Sequence, residues 1–247
     1  MNSANNQNDL LVARITDLYY LSAERNKPQF TGFLNEQEIS ICMDTLNTFS
    51  FDDYSFYGGY NNSQRMVLGF GANEDDFPIS VIEFTFRKQD KLNHRQFLGT
   101  ILSTGLKRSV VGDILCMEGK AYVFILSSQA EYVMNNINRV ARVGVKSKLI
   151  ELADFSYTPE FVYKDYIIAS MRLDNVVSAI TKLSREKTRT LILSGNVFKN
   201  YIETDNLSAK VKQGDVISVR RYGKFVIESQ GGITKKGRLK LTIRQYI

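Results

Sequence analysis

The 247-residue chain has no tryptophan, one histidine, two cysteines and three prolines. A lone histidine, His94, excludes a metal centre built from histidines. Cys42 and Cys116 lie 74 positions apart, and neither has a histidine nearby in sequence. That spacing argues against a disulfide scaffold, a thiolate metal site and a locally activated nucleophile. The longest apolar run, Ala121–Leu126, is six residues, whereas a membrane span needs roughly twenty. The opening residues, 1–7, are polar and lack the basic and apolar regions of a secretory signal, so a cytoplasmic protein without a membrane partner is expected. A phosphate-binding Walker loop is missing as well. The nearest approach to a glycine-rich cofactor loop, Gly69-Phe70-Gly71-Ala72-Asn73, lacks the third glycine and runs into acidic residues instead of a helix. No catalytic residue, metal or cofactor is expected.

What is present is an ordinary globular composition, 43% hydrophobic and 23% charged, with charge very unevenly spread. Residues 1–86 hold 4 Lys/Arg against 12 Asp/Glu, residues 87–163 hold 11 against 7, and residues 164–247 hold 17 against 7. The overall charge of +6 therefore conceals an acidic N-terminal third and a strongly basic C-terminal third. Such a concentration of cations suits a polyanion, because neutralising phosphates releases condensed counterions. Nucleic acid is the partner this implies. The acidic third suggests a protein partner for itself.

Periodicity organises the chain into an α+β protein. Leu10, Leu11, Ile15, Leu18 and Leu21 keep helical spacing up to the break at Pro28. Asn35 and Glu38 form a capping box for a second helix with an apolar stripe of Ile39, Cys42, Met43 and Leu46. Residues 54–60 and 65–71 read as a hairpin, and 73–76 as a solvated acidic turn. These elements make up an N-terminal acidic region, residues 1–76. From Pro78 a strand at 79–87, a helix at 94–104, strands at 114–117 and 121–126, a helix at 128–140 and a strand at 143–152 follow one another. This is the βαββαβ order of ferredoxin-like and RNA-recognition-motif domains, and it defines a middle domain at 77–152. In such domains exposed aromatics on the third strand stack on bases, which makes Tyr122 and Phe124 candidates here. Residues 153–163, with Pro159, read as a linker.

The C-terminal domain, 164–247, opens with a helix carrying Leu173, Val176, Val177, Ile180 and Leu183 on one face. Ser184 caps a second helix in which Arg185 and Arg189 share a face, with Lys187 beside them. Cations near a helix N-terminus are unfavourable unless an anion sits there. The stretches Arg172-Leu173-Asp174, Ser184-Arg185, Gly195-Asn196-Val197 with Asn200, and Gly214-Asp215-Val216-Ile217 occur in order. They resemble the small RNA-binding domain named after small-subunit ribosomal protein S-four, which implies two helices packed on a short β-sheet. Two departures are Thr188, where a small alanine is common, and Tyr201, in place of a glycine, which predicts an altered turn.

Together with His94–Arg108 and Gly112-Asp113-Ile114, the whole chain resembles the YlmH family. That resemblance implies a non-catalytic, monomeric RNA-binding factor of the translation apparatus. It would dock on rRNA or tRNA of the large ribosomal subunit during rescue or quality control of stalled translation. Phosphate contacts are expected at Arg172, Ser184, Arg185, Lys187 and Arg189, with Lys199, Asn200, Arg220, Arg221 and Lys224 around them. His94, Arg95, Lys107 and Arg108 could extend the surface. Two alternatives stay open, an RNA-modifying enzyme and a cell-division adaptor. Arg172-Leu173-Asp174 superficially matches the catalytic context of pseudouridine synthases, but Asp174 is expected to orient Arg172 or accept a backbone N–H.

Overall fold

In the computed structural model, residues 2–155, 157, 161–234 and 237–246 are described. The chain divides into two units, Met1–Tyr157 and Thr158–Ile247.

The first unit begins with α1 (Asn2–Arg25), β1 (Gln29–Phe30), α2 (Glu36–Phe49), β2 (Tyr54–Tyr57) and β3 (Val67–Phe70). Asn35 caps α2: its side chain accepts from the Gln37 and Glu38 amides, and the Glu38 carboxylate accepts from the Asn35 amide at 2.7 Å. That reciprocal arrangement satisfies N–H groups which a helix start leaves unpaired. β1, β3 and β2 pair antiparallel in that order.

Next come β4 (Ile79–Thr85), α3 (His94–Ser103), β5 (Val111–Met117), β6 (Lys120–Leu126), α4 (Ala130–Asn136), β7 (Arg139–Val140), β8 (Val143–Gly144) and β9 (Lys146–Ile150). The four long strands form an antiparallel sheet in the order β5-β6-β4-β9, as a split βαββαβ unit requires. α4 is shorter than the 128–140 predicted from sequence. Residues 139–144 fold instead into a two-residue ladder between β7 and β8.

Period-2 alternation gives this sheet two buried faces. Ile82, Phe84, Val123 and Ile125 face Phe97 and Ile101 of α3 and Val133 of α4. Ile79, Val81 and Phe124 point the other way, into a cluster with Phe33, Val67 and Phe77. The predicted boundary at 76/77 therefore crosses a shared core. Gly112 and Asp113 show how the sequence makes that junction. A Cβ at Gly112 would lie 2.6 Å from the Phe33 ring. The buried Asp113 carboxylate accepts from the Tyr60 hydroxyl at 2.8 Å and the Gln64 and Arg65 amides at 2.6 and 3.1 Å.

The second unit contains β10 (Phe161–Ile168), α5 (Leu173–Thr181), α6 (Arg185–Leu193), β11 (Val197–Lys199), β12 (Ile202–Glu203), β13 (Val216–Val219), β14 (Gly223–Ile233) and β15 (Leu239–Tyr246). The sheet is antiparallel with six strands, β10-β15-β14-β13-β11-β12. β10 pairs with β15 along its whole length, so residues 161–163 belong to a strand and not to the predicted linker. Leu173, Val176, Val177 and Ile180 of α5 and Ile192 of α6 pack with Ile217, Phe225, Leu241 and Ile243 of the sheet. Lys182, left-handed at φ 58°, ends α5 and allows the chain to reverse into α6. No helix among the described residues is long and apolar enough to cross a membrane.

Candidate nucleic-acid interface

The beginnings of α5 and α6 form the walls of a recess of about 710 Å³ in the second unit. Local structure sets each wall. The chain before α5 is held by a loop, since the Leu173 and Asp174 amides donate to the Ala209 and Leu207 carbonyls at 2.9 and 3.1 Å, and the Val211 amide donates to Met171. α6 opens at Ser184, whose hydroxyl accepts from the Lys187 amide at 3.4 Å. Arg185 and Arg189, one helical turn apart, then project on the same side and line the recess with Arg172.

A fourth arginine, Arg238, enters from the turn between β14 and β15. Sequence reasoning missed it, because only the strand pairing brings position 238 beside positions 172–189. The basic stretch 235–240, with Gly237 inside it, was the available signal. Arg172 forms a two-pronged pair with Asp174, at 3.1 and 2.8 Å. That pair raises the guanidinium pKa. The same carboxylate accepts from the Asn175 amide at 2.8 Å. No carboxylate among the described residues pairs with Arg185, Arg189 or Arg238.

Other predicted positions lie apart from this group. Lys187 is two residues from Arg185 and so about 200° around the helix. It lies beside Leu183, Thr190, Leu191 and Ser194, away from the recess. Lys199 and Asn200 form a structural lock. The Asp215 carboxylate accepts from Asn200 Nδ2 at 2.8 Å and the Lys212 amide at 2.8 Å, and pairs with Lys199 Nζ at 3.2 Å. Burial pushes the Asp215 pKa up, but these donors outweigh it and hold it below its ordinary value. Asn200 and Tyr201 both adopt left-handed backbone, φ 51° and 68°, which accounts for the altered turn. The strain of a left-handed tyrosine is offset by Lys224, whose Nζ meets the Tyr201 hydroxyl at 2.7 Å. Lys224 is only 7% exposed, so its predicted place on an open rim is corrected. Arg220 and Arg221 are exposed in the turn between β13 and β14 and do not line the recess.

The candidates in the first unit fare differently. Phe124 is 0% exposed, packed against Tyr60 and Phe155 at ring-centroid distances of 4.8 and 5.0 Å. It is core, and the expected base-stacking role is corrected. Tyr122 meets Phe155 edge-on and donates to Glu83 at 3.0 Å. Glu83 is buried between Lys120 and Lys148, at 3.4 and 3.1 Å.

Arg108 also turns inward, donating to the Val111 and Gly112 carbonyls beside Arg65, which binds Val111 and Phe33. Burial, with the neighbouring Arg65 charge, lowers its pKa to about 10. It braces the fold through these bonds. His94 opens α3, but the cap is Asn93, which accepts from the Gln96 amide at 3.1 Å. Desolvation and the Arg108 charge lower the His94 pKa. Arg95 and Lys107 are exposed.

Comparison with known proteins finds likenesses in sequence and in fold. A family model described as "Putative RNA-binding domain in YlmH" matches residues 72–154, the βαββαβ portion. The chain is also 27% identical over 231 residues to "Ribosome-associated protein quality control protein P2" of Bacillus subtilis (strain 168), covering 90% of this chain and 89% of that protein. The chain is YlmH-like. The solved structure of "Cell division protein ylmH from Streptococcus pneumoniae" shares the fold over 60% of this YlmH-like chain and 93% of that one, with a TM-score of 0.52 at 18% identity.

Proposed function

We propose that this chain is a non-catalytic RNA-binding factor of the translation apparatus that docks on rRNA or tRNA of the large ribosomal subunit during rescue or quality control of stalled translation. The observation that carries the reading is the recess bordered by Arg172, Arg185, Arg189 and Arg238. Guanidinium groups bind phosphate bidentately, and three of these four have no carboxylate partner among the described residues, so their charge is available to a polyanion. The likeness to a Bacillus subtilis protein named for ribosome-associated quality control supports the cellular setting.

A modifying-enzyme reading is weaker. The only Arg-Leu-Asp motif, at 172–174, has its carboxylate engaged by Arg172 and the Asn175 amide. The cell-division reading draws on the acidic N-terminal region, which is open to a protein partner. It is compatible with RNA binding by the other unit.

Sedimentation of the tagged full chain in a sucrose gradient of cell extract tests the proposal. The wild type is expected with large subunits, and Arg185→Ala/Arg189→Ala near the top of the gradient. Wild-type protein confined to the top, or a double variant that still co-sediments, contradicts it.

A further inference from the structure

We infer that the arginine recess takes a single unpaired nucleotide of an RNA, with its base inserted and its phosphates on the rim. The inference rests on the RNA-binding reading above and narrows it. Duplex backbone is gripped by cations spread along an extended face or channel. Here the four arginines surround a concavity of about 710 Å³, within the range of small-ligand pockets, roughly 300–1,000 Å³.

The interior is also wrong for phosphate alone. Ile167, Ala179 and Leu207 contribute apolar surface between the cations, and Ile167, 59% exposed on β10, is a large aliphatic side chain that nothing in its own unit covers. Apolar surface flanked by guanidinium planes matches the flat face of a base, which stacks on such groups when it is splayed out of a helix.

A second observation points the same way. The Thr188 hydroxyl, in the recess wall, is buried and has no hydrogen-bond partner among the described residues. Leaving such a group unpaired is costly, and a valine of the same shape would avoid the cost. A base presents donors and acceptors along its edge that can meet this hydroxyl after a small adjustment of α6. Asp174, Asn175 and Ser178 add polar groups on the facing helix. The partner is therefore a looped or bulged RNA and not an uninterrupted duplex.

The test compares two blunt-ended RNA duplexes, each annealed from two strands and differing only by one bulged nucleotide, bound to the full chain and followed by fluorescence anisotropy at one salt concentration. The bulged duplex is expected to bind at least about fivefold more tightly, in keeping with the contribution of one stacked base. Ile167→Ser and Thr188→Val, both compatible with the fold, are expected to erase most of that preference by weakening the bulged duplex more than the fully paired one. Thermal melts should show Thr188→Val as stable as the wild type or more so.

Equal binding of the two duplexes by the wild type overturns the inference and leaves RNA binding standing. Variants that weaken both RNAs equally overturn it too. Binding of neither RNA overturns the RNA reading and the inference together. Displacement of the bulged duplex by micromolar adenosine or guanosine monophosphate would make the recess a free-nucleotide site, which contradicts the assignment to RNA.

Discussion

In the first unit, the sheet face that could meet bases is filled by the chain's own side chains. In the second, the helix face that could meet phosphates stays open. Phe33, Phe77 and Phe155 cover Val81 and Phe124 on the βαββαβ sheet, and Glu83 pairs with both Lys120 and Lys148 of the same sheet. Around the starts of α5 and α6, four arginines border a recess with a single carboxylate pair among them. A fold used widely on RNA thus does not fix where RNA binds. The deciding physical facts are which aromatics are already buried and which cations lack partners.

The largest effect expected from disturbing this contrast is on stability. Phe124→Ala should destabilise the first unit by about 3 to 5 kcal/mol, the usual cost of emptying a buried phenylalanine site. A urea melt checks it, and an unchanged midpoint would mean that the ring is not core.

Next is Glu83. Burial pushes its pKa up, but bonds from Lys148, Tyr122 and Lys120 hold it below the ordinary value of 4.5. The ionised form therefore stabilises the fold above the unfolded-state pKa, and that contribution is lost as pH falls through the depressed folded value. Glu83→Gln should cost about 1 to 3 kcal/mol at pH 7. The gap from the wild type should narrow as pH falls below the ordinary carboxylate value and close once the folded-state carboxyl is protonated. A gap that persists at acid pH contradicts the assignment.

The smallest effect sharpens the picture of α6. Arg185→Ala should lower the log–log salt slope of RNA binding by about 0.7 to 0.9. Lys187→Ala, on the other side of the helix, should leave it nearly unchanged. Equal losses from the two would show that RNA wraps the helix instead of entering the recess.

Much of the fold is legible in the sequence, because it is local. The Asn35–Glu38 capping box, the apolar stripe of α5 and the alternation of β4 and β6 each need only a few neighbouring residues. The parts that are not legible depend on long-range pairing. Residues 161–163 look like linker until β15, some eighty positions later, supplies a partner strand. Within the site, Arg185 and Arg189 follow from helical spacing, whereas Arg238 does not. Lys199, Asn200, Lys224 and Arg108 show the reverse. Each is basic or polar and expected from sequence as an RNA contact, and the bond it makes within the fold, with Asp215, with Tyr201, or with the carbonyls of residues 111 and 112, was not legible.

The central claim is that RNA meets this protein at the helix pair of the second unit. Ultraviolet cross-linking of the full chain to its bound RNA, with the attached peptides read by mass spectrometry, tests it most directly. The account predicts cross-links within residues 167–189 and at the 238 turn. Cross-links concentrated on residues 120–126, with none on α5 or α6, would contradict it.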